Sequence, residues 1–164
     1  GFVGSLKNAG WIPKTFKDFK DQEALMQSWL KPFKDKVNLF CEKPGDIIEH
    51  ACFFWNILHF AIMDYQKKYS SWLFVKYEDI AMHPISEFQR IFDYLKLPMS
   101  DTIQRYISTY TSERNPANAE TAQYQPRNSK KCLDAWKERL TAQEIKQVMI
   151  ATRDISAELY GDSV

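Results

Sequence analysis

The sequence lacks an excess of either charge and has few cysteines. Its 164 residues include 22 lysines and arginines against 21 aspartates and glutamates, a formal net charge of +1. No broad electrostatic field therefore favours nucleic acid or an anionic membrane as a partner, and any anion site must be local. The three cysteines, Cys41, Cys52 and Cys132, are odd in number and widely spaced. We therefore expect reduced thiols and a cytoplasmic location rather than a disulfide framework.

Segments that direct a protein to a membrane are also missing. The longest apolar stretch, residues 51–63, is too short to span a bilayer and contains Asn56 and His59. No signal peptide is recognisable, and the first residue is Gly1 rather than methionine, which indicates a fragment. No cysteine and histidine spacing is typical of a zinc site, so no metal cofactor is expected.

What is present is an aromatic, largely helical pattern. A composition of 45% hydrophobic and 15% aromatic residues predicts one globular unit and excludes the disordered class. Apolar spacing predicts a long core helix after Asp46 and a last helix from Thr141 to Gly161, each opening with a capping box. Shorter amphipathic helices are predicted over residues 2–9, over 25–37 with a break at Pro32, over about 85–96, and after Ser100. The polar stretch 111–131 shows no clear periodicity.

One segment has the composition of a buried strand. Residues 72–77 read WLFVKY, a β-branched and aromatic run that follows two serines. A lone strand would leave its backbone donors and acceptors unpaired, which a buried position does not tolerate. Its neighbours must therefore come from a missing N-terminal region of the same protein or from a second chain.

Three blocks, in order, resemble the sulfotransferase family. The first block is WLFVKYEDI at 72–80, followed by His83-Pro84 and by IFDYLKLP at 91–98. It resembles the family pattern of a strand that ends in Tyr-Glu-Asp-Leu, then Asp-Pro, and then a helix that ends in Phe-Leu-Gly-Leu. The second is RNSKKCLDAWKERLT at 127–141, which resembles a basic loop leading into Trp-Lys. The third, GFVGSLK at 1–7, is similar to the tail of a cofactor-binding Arg-x-Pro segment. The first block departs from the family pattern at Ile80, His83 and Lys96.

The resemblance implies an α/β, P-loop NTPase-like sulfotransferase fold. Residues 1–164 would be the mostly helical C-terminal half of a single domain, with one strand of a parallel sheet and without the N-terminal half that binds the phosphosulfate. The implied reaction transfers a sulfuryl group from 3′-phosphoadenosine 5′-phosphosulfate (PAPS) to a hydroxyl or amine of a small-molecule or carbohydrate acceptor, leaving 3′-phosphoadenosine 5′-phosphate (PAP). The general base would lie upstream, so no catalytic residue is assigned.

The same resemblance implies a set of cofactor contacts. Binding a 3′-phosphate calls for charge-assisted donors beside hydroxyls. The family's Arg-Lys-Gly frame before the tryptophan reads Ser129-Lys130-Lys131 here, with the arginine displaced to Arg127. The residues expected at the 3′-phosphate are Ser5, Arg127, Ser129, Lys130 and Lys131, and those expected near the adenine are Tyr77 and Thr111.

Alternatives remain open at this point. The basic loop can be a solvated surface, Ser5 a packed helical residue and Tyr77 an ordinary core side chain. The whole chain can be a non-catalytic helical interaction module on a sulfotransferase-like scaffold, or part of another P-loop transferase such as a small-molecule kinase. The Golgi lumen is the alternative location, and a homo-oligomer is compatible with the sequence.

Overall fold

The computed structural model describes residues 1–10, 15–43, 45–117 and 125–161. The chain divides into two compact units. One, the long-helix unit, comprises Phe2–Ser70 and the chain from Arg139 onward; the other, the basic-loop unit, comprises Ser71–Glu138 with Gly1. The α-helices are α1 (Phe2–Ala9), α2 (Thr15–Lys20), α3 (Glu23–Gln27), α4 (Lys34–Glu42), α5 (Ile47–Lys68), α6 (Tyr77–Met82), α7 (Pro84–Tyr94), α8 (Asp101–Thr111), α9 (Ser129–Cys132) and α10 (Ala142–Tyr160), and 3₁₀ helices span Lys31–Phe33 and Lys137–Arg139.

The long-helix unit is built around α5, against which α1 and α10 pack. Its apolar core contains an aromatic cluster in which the Phe16 ring lies 5.0 Å from Phe53 and 5.3 Å from Phe40. Aromatic pairs at such distances add to the stabilisation from burial alone. The buried members of the core are Phe16, Met26, Leu30, Val37, Phe40, Phe53 and Ile57.

The two predicted capping boxes are confirmed. Asp46 accepts from the backbone N–H of Glu49 and precedes α5, and Thr141 accepts from the N–H of Glu144 and precedes α10. Each cap satisfies a helix-end donor that would otherwise lack a partner. Gly161 ends α10 with φ at +74°, a conformation that glycine adopts without steric cost. Both ends of the last helix therefore follow from the sequence.

Proline and serine set the remaining helix boundaries as predicted. The helix predicted over 25–37 is interrupted: α3 ends at Gln27, and Pro32 lies in the 3₁₀ helix directly before α4, where its missing N–H is tolerated. Pro84 is the first residue of α7, where the missing N–H is harmless. Ser100 caps α8 by accepting from the N–H of Ile103 at 3.4 Å.

The C-terminus of α7 adopts an unusual turn for its sequence. Lys96 has a φ of +57°, and it is the one non-glycine residue with positive φ in the described ranges. The N–H of Lys96 donates to the carbonyl of Asp93 at 3.0 Å, and that of Leu97 donates to Phe92 at 2.9 Å. These two bonds form a Schellman motif, which usually carries glycine at the position of Lys96.

The predicted strand over residues 72–77 is not formed. Residues 73–76 are in neither helix nor strand, Tyr77 is the first residue of α6, and no described residue belongs to a strand. The physical reason is that a strand requires a hydrogen-bonded neighbour, and no other part of this sequence has strand composition. The sheet of the expected α/β fold is therefore not seen, and the described chain is helical. None of its described helices is long and apolar enough to cross a membrane.

Candidate functional site

The basic loop, residues 127–131, is anchored between two helices of its unit. Ser129 donates from Oγ to the carbonyl of Ala81 at 2.7 Å and, more weakly, to that of Thr111 at 3.3 Å. The backbone N–H of Arg127 donates to the carbonyl of Tyr110 at 2.9 Å. The start of α9 is thereby held against the C-terminal ends of both α6 and α8.

Asn128 is the central anchor of this loop and was missed by the sequence reasoning. It is 2% exposed, and its backbone N–H donates to Pro116 at 3.0 Å. Its Nδ2 donates to the carbonyl of Glu113 at 2.8 Å, while its Oδ1 accepts from the N–H of Lys131 at 3.0 Å. The available signal was an asparagine directly before a short helix, since asparagine is a preferred N-cap.

The charged side chains of the loop face solvent. Arg127, Lys130 and Lys131 are all exposed. Lys130 donates from Nζ to Oε1 of Glu113 at 2.7 Å, and this bond holds the pKa of the Glu113 carboxyl below its usual range. The loop thus presents three cations on a backbone that internal hydrogen bonds keep in place, with one of them already paired to a carboxylate.

The absent family glycine has no structural cost here. Lys131 occupies its place and lies within α9, and its φ is not positive. Lysine adopts helical backbone angles readily, so the position needs none of glycine's freedom.

Tyr77 lies at the N-terminus of α6 and is 58% exposed. The pKa of its phenol is raised, mainly because the group is partly buried. The neighbouring Cys132 raises this pKa further, whereas the positive charge of Arg127 lowers it. The phenol is therefore a neutral donor at physiological pH, within electrostatic reach of Arg127.

The structure brings six of the seven predicted cofactor residues into one unit. Tyr77, Thr111, Arg127, Ser129, Lys130 and Lys131 all belong to the basic-loop unit. Ser5 belongs to the long-helix unit, where its Oγ accepts from Nη1 of Arg139 at 3.3 Å. Its predicted role therefore stays a prediction.

The cationic side chains of the loop, rather than the nearby hydroxyls, are available to bind an anion. Ser129 already donates within the protein, and Thr111 donates from Oγ1 to the carbonyl of Ile107 at 2.8 Å. A hydroxyl has one proton to donate, so neither is free to donate to a phosphate in this arrangement. Arg127, Lys130 and Lys131 retain this capacity, with Lys130 exchanging its carboxylate partner for the phosphate.

Histidines and metal ligands add no candidate chemistry in the described part of the chain. The Nδ1 of His50 lies 3.1 Å from the carbonyl of Asp46, and that of His59 lies 2.9 Å from Trp55. Both contacts are to backbone groups four residues earlier, in the N-cap and the body of α5. The third histidine, His83, is exposed at the junction of α6 and α7. No cluster of metal-ligating side chains was found among residues 1–10, 15–43, 45–117 and 125–161.

Comparison with known proteins gives partial matches over much of the chain. Carbohydrate sulfotransferase 2 of Mus musculus and that of Homo sapiens are each 30% identical to it over 77 residues. That alignment covers 47% of this chain and 14% of each relative, so the chain spans only a small part of their length. No solved structure matches the chain significantly.

The match to a family model covers more of the chain than these pairwise alignments do. The model of the sulfotransferase domain matches residues 12–161, which include the basic loop, Tyr77 and all helices from α2 to α10. This range covers most of the chain and contains two of the three blocks that carried the resemblance. The chain belongs to the sulfotransferase domain family.

Proposed function

We propose that this chain forms the 3′-phosphate-binding part of a sulfotransferase that uses PAPS as its sulfuryl donor. The observation that supports this most directly is the basic loop, whose three exposed cations extend from a backbone that Asn128 and Ser129 anchor. Asn128 is buried and makes three hydrogen bonds, so the backbone that carries these cations is fixed. A fixed backbone suits a loop that must hold cations in a set arrangement.

The proposed contacts follow from the chemistry of the phosphate. The guanidinium of Arg127 can donate two parallel hydrogen bonds to phosphate oxygens, and Lys130 and Lys131 contribute mobile point charges. Tyr77, a neutral phenol near Arg127, presents an aromatic face and a donor on the nucleoside side. Thr111 would support the loop through its backbone carbonyl, which accepts from Ser129, since its own hydroxyl donates to Ile107.

Sulfuryl transfer itself requires groups beyond these. The bond between sulfur and the 5′-phosphate oxygen breaks, a bond from sulfur to the acceptor oxygen or nitrogen forms, PAP leaves with the released charge, and a base takes the acceptor's proton. No glycine-rich loop that could cradle the 5′-phosphosulfate is present in the sequence. In this proposal the N-terminal half of the domain supplies that loop, the base and the neighbours of the 73–76 segment.

The acceptor is proposed to be a carbohydrate or a small molecule with a hydroxyl or amine. The likeness to carbohydrate sulfotransferase 2 supports a sugar acceptor. The three cysteines are all free, which favours a reducing compartment such as the cytoplasm. Localisation of the tagged intact protein, with the Golgi lumen as the competing result, would decide this part of the proposal.

The proposal is tested by calorimetric titration of the intact protein with PAP and, as the control ligand, AMP. PAP should bind at least about tenfold more tightly, since it alone carries the 3′-phosphate. Replacing both Lys130 and Lys131 with alanine should remove most of this preference and leave AMP binding unchanged. Replacing Lys17 and Lys20, two exposed lysines of α2, is the matched control and should change neither affinity.

Two results would contradict the proposal. Equal binding of PAP and AMP by the intact protein would favour a scaffold role or a different phosphate donor. Equal losses of PAP and AMP affinity in the Lys130 and Lys131 variant would mean that the loop does not contact the 3′-phosphate.

A further inference from the structure

A cavity lies in the long-helix unit and shares no residue with the basic loop. It opens between α4, α5 and α10 and has a volume of about 600 Å³, which is within the usual range for small-molecule sites. The residues that line it include Lys36, Leu39, Lys43, Phe53, Asn56 and Ile150.

The walls of this cavity carry exposed apolar side chains. Leu39 on α4 is 53% exposed and Ile150 on α10 is 66% exposed. Below them, Phe40 and Phe53 are buried in the aromatic core. Large aliphatic side chains left in solvent on two facing helices, above a packed aromatic floor, favour an apolar ligand body.

The floor is held by a hydrogen bond between two helices. Asn56 on α5 donates from Nδ2 to the carbonyl of Ala151 on α10 at 2.8 Å. Both residues line the cavity, so this bond holds its α5 and α10 walls together. A preformed site avoids the cost of ordering its walls on binding.

The rim of the cavity has cations without acidic partners. Lys36 and Lys43 are exposed, and neither forms a salt bridge within the described ranges. The Nζ of Lys36 lies 4.7 Å from the centroid of the Phe53 ring, so the charge is above the aromatic floor rather than far out in solvent. A cation that already contacts an aromatic face can bind an anion that enters beside it.

The other ionisable groups at the cavity are the Glu49 carboxylate, the Cys52 thiol and, near that thiol, the Asp46 carboxylate. The Oε2 of Glu49 accepts from the N–H of Asp46 in the α5 capping box. Burial raises the pKa of the Cys52 thiol to about 11, so this side chain is neutral at physiological pH. The Asp46 carboxylate accepts in turn from the N–H of Glu49. Both carboxylates are thus engaged in the helix cap, whereas Lys36 and Lys43 form no ion pair within the described ranges.

We propose that this cavity binds a small amphiphilic anion, an aryl or alkyl sulfate or carboxylate. Lys36 and Lys43 bind the acidic head group, and the apolar body lies between Leu39 and Ile150. The inference does not depend on PAPS use, since none of these residues belongs to the proposed cofactor loop.

The test uses a matched pair of ligands that differ only in the acidic group. Binding of 2-naphthyl sulfate and of 2-naphthol to the intact protein is measured by calorimetry at pH 7, with 2-naphthoate as the carboxylate arm. The sulfate and the carboxylate should each bind at least about tenfold more tightly than the neutral naphthol. A stronger response to one acid identifies the preferred head group.

Variants then separate the two parts of the site. Replacing Lys36 and Lys43 with glutamine should remove the advantage of the two anions and leave 2-naphthol binding unchanged. Replacing Lys34, an exposed lysine of α4 outside the cavity lining, is the matched control. Replacing Ile150 with glutamine should weaken all three ligands, and because Ile150 is mostly exposed the fold should be preserved.

Two outcomes would overturn the proposal. The first is equal affinity for the sulfate, the carboxylate and the naphthol, which would mean nonspecific apolar binding. The second is tight anion binding that survives replacement of Lys36 and Lys43, which would place the anion elsewhere. Either result leaves the PAP titration unaffected, so the two proposals fail independently.

Discussion

The Oε1 of Glu113 lies 2.7 Å from the ammonium of Lys130, one of the three cations of the anchored loop. The pair is exposed, with 46% of the lysine side chain and 70% of the glutamate side chain accessible. Exposed ion pairs contribute little to stability, so the pair is easily exchanged for another anion. Glu113 therefore acts as an internal competitor for any phosphate that binds Lys130.

Replacing Glu113 with glutamine should strengthen PAP binding. The substitution removes a carboxylate from Lys130 and from the neighbourhood of Lys131, so affinity should rise roughly three- to tenfold. AMP binding should stay the same, as should the unfolding midpoint in urea. Glu158→Gln is the control, because it breaks the comparable exposed pair with Lys67 at 3.1 Å in the other unit. An unchanged PAP affinity in the Glu113 variant would show that the two anions do not compete.

Replacing Asn128 with alanine should damage both the loop and its ligand binding. It removes a buried cap and the bond to the carbonyl of Glu113, for which we expect a loss of about 1–2 kcal/mol in the free energy of unfolding. PAP affinity should fall because the lysines are no longer held in place. Asn115→Ala, which removes one bond to Thr109 outside the loop, controls for local destabilisation. Full PAP affinity in the Asn128 variant would argue against a positioning role.

Cys52 should make the protein less stable at alkaline pH. Because burial raises the pKa of its thiol to about 11, the folded state retains a proton that the unfolded state releases earlier. The stabilisation is thus complete at neutral pH and is lost as pH rises toward 11, by an amount on the order of 2 kcal/mol.

The measurement is urea unfolding of the native protein and of Cys52→Ala at several values between pH 8 and pH 10.5. The difference in unfolding free energy between them should narrow as pH increases. A constant difference over that range would contradict the proposed coupling between burial and ionisation. The same burial predicts that Cys52 reacts with iodoacetamide more slowly than Cys41 or Cys132, which are less buried.

Replacing Lys96 with glycine should stabilise the basic-loop unit. Lys96 has a φ of +57° in the Schellman motif that ends α7, and a side chain in this conformation costs about 1 kcal/mol relative to glycine. Lys96→Gly should therefore raise the midpoint of thermal unfolding, whereas Lys96→Ala should leave it nearly unchanged. Equal effects of the two variants would attribute any gain to the lost charge instead of the backbone.

Local chemistry made the helix boundaries predictable from sequence. The side chains of Asp46 and Thr141 accept hydrogen bonds from backbone N–H groups in the first turn of the next helix. Pro32 and Pro84 lack a backbone N–H and lie at the first or second position of their helices. Interactions of this kind involve residues no more than four positions apart, so they can be predicted from a short stretch of sequence. The basic residues of the loop at 127–131 were visible in the sequence because three of its five residues are cations, and their role at the 3′-phosphate stays a prediction.

Contacts between distant residues were not predictable in the same way. Asn128 bonds to Glu113 and Pro116 across the polar stretch, and the cavity between α4 and α10 depends on the contact of Asn56 with Ala151. The strand predicted over residues 72–77 is not confirmed in the described chain, because a segment of strand composition forms a strand only beside another strand. Residues 118–124 of the polar stretch lie outside the described part of the chain.

The segment at 73–76, which is apolar except for Lys76, bears on whether the purified protein stays monodisperse. A short, largely apolar stretch with high β-propensity can form backbone hydrogen bonds with any accessible strand, including the same stretch in another copy of the protein. When sheet neighbours cover it, the protein should remain monodisperse on concentration; when they do not, it should form oligomers through this segment. Light scattering at increasing concentration therefore reports whether the segment has found its neighbours.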